Sequence, residues 1–191
     1  LTGTNAYTIT IASGDATGKT AAEFNTINGK TTIAVDASAV TGLASDTVTN
    51  IKTLLTAGND TAQFTANSFG SLATAIVSDG TLSGSDLADA IDQANTATAG
   101  TSTVFTITDA SEITGTEANF TDLLTDEGNN QIDISNQNLT IDSGTLSVAN
   151  ARTLSDTTSG TVTGTITSGT TIAAILNLSL IHISEPTRPL T

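Results

Sequence analysis

The sequence predicts an α/β repeat protein, a solenoid of short parallel strands alternating with short helices; all-β sandwich modules are the alternative. Three observations support this prediction. Thr, a β-branched residue that favours strands, supplies 41 of 191 residues, whereas Pro occurs only twice. Strand patterns recur roughly every 25 to 30 residues, and a connection of that length favours parallel pairing. Similar segments also recur at longer intervals, as expected of stacked arrays.

The strand predictions rest on alternation of apolar and polar residues over short segments. Seven segments show it: Tyr7–Ile11, Thr31–Val35, Ala62–Ala66, Thr103–Ile107, Gln131–Ile134, Leu139–Ile141 and Thr161–Ile166. Stacking such strands in register would build a continuous core along one axis.

Helical patterns lie between these segments. Four helices are predicted, at Thr20–Ile27, Ser45–Leu55, Ser83–Thr96 and Glu117–Leu124, with N-caps at Thr20, Ser45, Ser85 and Thr116. The aromatic rings fall at core positions of these strands and helices. We therefore expect five buried phenylalanines: Phe24, Phe64, Phe69, Phe105 and Phe120.

A long internal repeat covers residues 1–177. Segments that align on Gly14, Gly80 and Gly144 read SGDATGKTAAEF, DGTLSGSDLADA and SGTLSVANARTL, which gives copies of about 65 residues. A second similarity joins TIAVDASAVTG to TITDASEITG, and each of these is followed by a Leu pair and a polar turn. The common order of these similarities predicts one repeat region.

The last residues differ from the rest of the chain. Both prolines and the only histidine, His182, lie there, and LSLIHISEPTR resembles the conceptual translation of a sequencing-library adaptor. We therefore expect 178–191 to be a non-native tail and the natural chain to continue past Asn177, with a truncation before Leu1 as well. His182 is accordingly not a candidate base or metal ligand.

Composition excludes several classes of function. Five Lys and Arg against nineteen Asp and Glu, a net charge of −14, cannot form the basic surface that nucleic acid requires. The absence of Cys excludes thiol catalysis, disulfides and cysteine metal sites. The sequence contains no run of about twenty apolar residues, so it predicts no membrane span.

One segment superficially resembles a phosphate-binding P-loop. Gly14-Asp-Ala-Thr-Gly18-Lys19-Thr20 lies between a predicted strand and a predicted helix, but it has three residues between its glycines where the motif has four. The aligned segments at Gly80 and Gly144 lack the lysine. A turn common to the three copies is the better interpretation.

Calcium is the one cofactor left open. Asp86, Asp89 and Asp92 recur every third residue of a predicted helix, and the stretch Asp122–Asp133 is rich in carboxylates and amides. Hard cations prefer several such oxygen ligands, although no EF-hand loop occurs. The alternative interpretation is that the aspartates form a solvated helix face and the stretch forms a polar turn. On that interpretation, alanine at Asp86, Asp89 or Asp92 should lower the free energy of unfolding by less than about 2 kcal/mol.

Catalytic residues are not indicated. Ser and Thr are plentiful, but with His182 discounted no base accompanies them, and no nucleophile can be singled out. Paired carboxylates leave a carbohydrate-active solenoid as the alternative, which exposed Phe or Tyr beside clustered carboxylates would favour. We predict no catalytic, cofactor-binding or metal residues.

The phrases AAEFNTINGKTTIAVDASAVTG and SEITGTEANFTDLL resemble repeats of very large, Thr/Ala/Gly-rich surface proteins of marine bacteria, particularly cyanobacteria. The resemblance covers most of 1–177. It implies a structural or adhesive module, extracellular or at the cell surface, whose partners are neighbouring repeats and cell-surface glycans. It also implies type I secretion, with a calcium-responsive module as a further alternative.

Overall fold

The computed structural model describes residues 5–100 and 102–167, so the predicted tail at 178–191 lies outside the described residues. The described part contains five α-helices: α1 (Ala21–Asn28), α2 (Val48–Gly58), α3 (Gly84–Thr98), α4 (Glu117–Gly128) and α5 (Val148–Thr157). It contains seven strands: β1 (Gly42–Asp46), β2 (Thr74–Val77), β3 (Thr81–Ser83), β4 (Val104–Ile107), β5 (Glu112–Gly115), β6 (Asn138–Ile141) and β7 (Val162–Thr163).

The strands form two sheets, and every strand pair in the described residues is parallel. One sheet has the order β1-β2-β4, and the other has the order β3-β5-β6-β7. Five isolated bridges outside the named strands are parallel as well. This confirms the α/β class with parallel strands, and the five helices do not fit the all-β alternative.

Each pairing joins a strand to a segment that follows it in the chain. We call the residues between two paired positions a crossover. Gly42 pairs with Thr74, 32 residues on, and Leu146 pairs with Ile166, 20 residues on. Helices also pack on their neighbours in chain order, α1 on α2, α2 on α3, α3 on α4 and α4 on α5. Connections of this length are what parallel pairing requires.

The sequence predicted some strands and missed others. Three predicted segments coincide with strands: two contain β4 and β7, and Leu139–Ile141 matches β6 except for its first residue. By contrast, Tyr7–Ile11, Thr31–Val35 and Ala62–Ala66 make only isolated bridges, and Gln131–Ile134 has no named strand. Strands β1, β2, β3 and β5 were not predicted. They have three to five residues, and pairing with neighbouring strands fixes their conformation.

The four predicted helices begin within three residues of the observed starts of α1 to α4. Thr20 and Thr116 are N-caps as expected, each completing a capping box. The predictions of Ser45 and Ser85 are wrong, because Ser45 lies in β1 and Ser85 in the first turn of α3; Thr47 and Ser83 are the caps. Helix α5 was missed because it buries only Ala151 and Leu154, too few for a clear apolar pattern.

The core runs through the helix–sheet interface. All five phenylalanines are buried, as predicted. The Phe69 ring contacts two of the others edge-on, with centroids 6.2 Å from Phe24 and 5.2 Å from Phe64. The buried apolar residues form one cluster extending from Ile11 to Leu154.

Candidate functional site

Hydroxyl side chains join one crossover to the next. The Ser68 hydroxyl accepts the Ala37 N–H at 3.1 Å and lies 3.3 Å from the Val35 carbonyl, to which it donates. The Thr103 hydroxyl donates to the Leu72 carbonyl at 2.8 Å. The bonds to the Ala37 N–H and the Leu72 carbonyl satisfy backbone groups that would otherwise be buried without partners. Part of the Ser and Thr content therefore serves to attach neighbouring crossovers.

Acidic side chains satisfy helix N-termini on other crossovers. Asp46 Oδ2 accepts the Ala22 N–H at 2.7 Å, and Asp79 Oδ2 accepts the Val48 N–H at 2.7 Å. A helix N-terminus carries unpaired N–H groups and a partial positive charge, which a carboxylate complements. Some of the acidic surplus is therefore structural.

Glu117 does the same for α5. Its Oε1 accepts the Ser147 N–H at 3.0 Å and a hydrogen bond from the Asn150 side chain at 2.7 Å. The bonds to Ser147 hold the pKa of Glu117 below its ordinary value. This carboxylate comes from the preceding crossover, whereas Asp46 and Asp79 come from the following one.

Two of the three predicted helical aspartates bind a lysine. Lys52 Nζ on α2 lies 2.8 Å from Asp86 Oδ1 and 2.7 Å from Asp89 Oδ2 on α3. The hydrogen bond to Asp86, followed by that to Asp89, raises the pKa of Lys52. The structure therefore assigns Asp86 and Asp89 to an ion pair between helices. Sequence reasoning missed Lys52, since it is 34 and 37 residues from its partners.

This ion pair is expected to contribute little to stability. Replacing Lys52 by Met should lower the free energy of unfolding by about 1 kcal/mol, because these partly exposed charges are screened by water. Alanine at Asp86, Asp89 or Asp92 should each cost less than about 2 kcal/mol. Urea unfolding at low and high NaCl checks both statements. A loss above that limit at any aspartate would assign it a buried or ligand-binding role.

Asp92 lies near a more unusual carboxylate. Asp126 on α4 is a buried acid, 8% exposed. Burial raises its pKa to about 6, with further contributions from the charges of Asp92 and Asp122. A carboxyl group with this pKa changes its charge in mildly acidic solution.

A cleft of about 460 Å³ lies beside β4 and draws on the Asp122–Asp133 stretch. Its lining is Val104, Phe105, Thr106, Ile107, Glu127, Asn130, Ile132, Asp133, Asn136 and Gln137. Burial raises the pKa of Glu127, whereas hydrogen bonds from Ser135 lower that of Asp133. The Gln137 side-chain oxygen is buried and has no hydrogen-bond partner among the described residues. The cleft is the clearest candidate for a ligand site.

The P-loop-like segment is built into the fold. Ser13–Asp15 form a 3-10 turn, and Gly18 has a φ of +78°, which favours glycine. The Thr20 hydroxyl accepts the Glu23 N–H as the cap of α1, and Lys19 Nζ lies 3.8 Å from Asp15 Oδ1. The Thr20 hydroxyl therefore acts as a helix cap, and Lys19 lies near a carboxylate of the same turn.

Neither a metal cluster nor a membrane span is found in the described residues. Within 5–100 and 102–167, no three acidic or histidine side chains gather in a way that could hold a metal ion. No helix of that part is both long and apolar enough to cross a bilayer.

The fold and the cleft thus define an α/β protein with parallel strands and a small polar cleft. Comparison with protein-family models, with curated proteins and with solved structures found no match to this chain. The function is therefore inferred from the chain's own residues.

Proposed function

We propose that the chain is a structural and adhesive section of a large extracellular repeat protein, with its crossovers wound as a solenoid. One observation carries this proposal: each parallel pairing joins the chain to a segment 20 to 32 residues later, as between Leu146 and Ile166 or Gly42 and Thr74. Units that contact mainly their neighbours can be added along one axis without altering the rest.

The polar side chains support a structural role. Ser68 and Thr103 bind the backbone of a neighbouring crossover, and Asp46 and Asp79 complete helices of the preceding one. These groups are used to join crossovers rather than to form a catalytic constellation. In contrast, a carbohydrate-active enzyme would need exposed rings to stack on sugars, and all five phenylalanines are buried.

The extracellular assignment rests on composition and resemblance. A chain without Cys needs no disulfide chemistry during secretion, and a net charge of −14 keeps a β-rich array soluble. Carboxylates also oppose edge-to-edge association of exposed strands. The phrases similar to surface-protein repeats of marine bacteria indicate the same class, with neighbouring repeats as partners.

Excision of one crossover tests the proposal. Thr74 pairs with both Gly42 and Val104. Removing 74–103 therefore places Val104 opposite Gly42 in the original register. Asp109 then takes the place of Asp79, which caps α2. We expect the shortened chain to stay soluble and helical and to unfold cooperatively on heating, as measured by circular dichroism.

A matched control removes the same number of residues out of register. Deleting 60–89 fuses α2 to the second half of α3 and removes β2 and β3, so it should abolish the cooperative transition. A solenoid tolerates the first deletion and not the second. If both shortened chains unfold alike, the protein is a closed domain and the proposal is wrong.

A further inference from the structure

We infer that the cleft beside β4 binds a neutral pyranose, the sugar unit of a surface glycan. The inference deepens the adhesive part of the proposed function and rests on it. The ligand would occupy the space between β4 and the crossover that follows, where the two parts of the chain separate.

The backbone beside the cleft is open. The Phe105 N–H reaches the Gln131 carbonyl of the following crossover at 2.7 Å. Residues of a parallel strand alternate in the neighbour to which they direct their N–H groups, so Ile107 faces the same way as Phe105. The Ile107 N–H donates no corresponding hydrogen bond to the following crossover in the described residues. The hydrogen bonding between β4 and the following crossover therefore ends after the bond from Phe105. The Ile107 N–H remains as a donor at the cleft.

The side chains around this opening are rich in acceptors. Glu127 accepts the Ile134 N–H at 3.3 Å and Asp133 accepts the Ser135 N–H at 2.9 Å, so their own backbone holds both carboxylates in place. Gln137 adds the buried oxygen without a partner. Such an oxygen carries a desolvation cost that a ligand donor would relieve. The lining contains no Lys or Arg, which disfavours an anionic ligand.

A sugar ring matches the remaining chemistry better than a cation does. Asn130 and Asn136 supply amide donors as well as acceptors, and a hydroxyl group can use both at once. Val104, which is 43% exposed, supplies apolar surface for the C–H face of a ring. A calcium ion would instead favour more carboxylates than the two present. The volume falls within the range of small-molecule sites.

Saturation-transfer NMR on the full chain tests the inference. The probes are the methyl α- and β-glycosides of glucose, galactose, mannose and N-acetylglucosamine, with N-acetylneuraminic acid as an anionic sugar and CaCl₂ as a separate titration. We expect at least one neutral glycoside to bind in the millimolar range and the anionic sugar not to bind.

Two variants locate the binding. Gln137→Met keeps the side-chain length and removes the unpartnered oxygen, so it should leave stability equal or higher while weakening binding about tenfold. Glu127→Gln can still accept the Ile134 N–H and should also weaken binding. Asp142→Asn removes an exposed carboxylate outside the lining and should change nothing.

Each other result overturns the inference. Binding of no glycoside, binding of Ca²⁺ alone, or glycoside binding that survives both cleft variants would each exclude this pyranose site. Failure here with successful excision of 74–103 rejects the sugar site and retains the structural role. Failure of the excision rejects the solenoid itself, whatever the NMR shows.

Discussion

Replacing Phe69 by Ala is expected to lower the free energy of unfolding by about 3–5 kcal/mol, the usual cost of deleting a buried ring. The Phe69 ring lies against the rings of Phe24 and Phe64, and all three are fully buried. Its removal leaves a cavity among side chains from separate crossovers. Urea denaturation followed by circular dichroism measures the loss.

Gly58 supplies a matched test of the same contact. A Cβ at Gly58 would lie 2.5 Å from Cδ2 of Phe69. Gly58→Ala should therefore destabilise the natural chain through overpacking but cost less in the Phe69→Ala background, where the ring is gone. Phe69→Leu should lose less than Phe69→Ala. Additive effects of Gly58→Ala and Phe69→Ala would contradict this contact.

Stability is expected to rise as the pH falls from 7.5 to 5. The pKa of Asp126 is about 6 in the folded chain and about 3.8 in an exposed aspartate. Between these values the folded state binds more protons than the unfolded state, so stability decreases as the pH rises through this window. This difference in pKa between the two states corresponds to at most about 3 kcal/mol of unfolding free energy. Urea unfolding at several pH values measures the slope.

Asp126→Asn identifies the group responsible. This variant removes the charge that is disfavoured between Asp92 on α3 and Asp122 on α4, so it should be more stable than the natural chain at pH 7.5 and show a flatter pH profile. Asp122→Asn, at an exposed position, should have a smaller effect. Glu127, whose pKa burial also raises, contributes a remaining slope of the same sign. A natural chain with pH-independent stability in this window would refute the assignment.

Sequence patterns predicted the features that depend on local chemistry. Thr20 and Thr116 cap their helices, because a hydroxyl followed three residues later by Glu23 or Asn119 completes a capping box. The phenylalanines were predicted in the core because they fall at core positions of the predicted strands and helices. In contrast, β3 has three residues and depends on its neighbour β5 for its conformation.

The candidate site was less accessible to sequence reasoning. Lys52 and its aspartates are far apart in sequence, and only the packing of α2 on α3 brings them together. The Asp122–Asp133 stretch did attract notice, as a cation-binding candidate, and it supplies Glu127 and Asp133 to the cleft. The other wall comes from β4 and residues after 133. No local sequence pattern indicates that the hydrogen bonding between β4 and the following crossover ends before Ile107.

The short reach of the parallel pairings has a kinetic consequence. Loop-closure entropy depends on the number of residues between contacting positions. Here paired strand residues stay about as far apart in sequence as Thr74 and Val104, which are 30 residues apart. Lengthening such an array would not lengthen the loops to be closed, so its relative contact order would fall as units are added. A chain emerging from its N-terminal end could then acquire native structure unit by unit, each new segment folding onto the one before it.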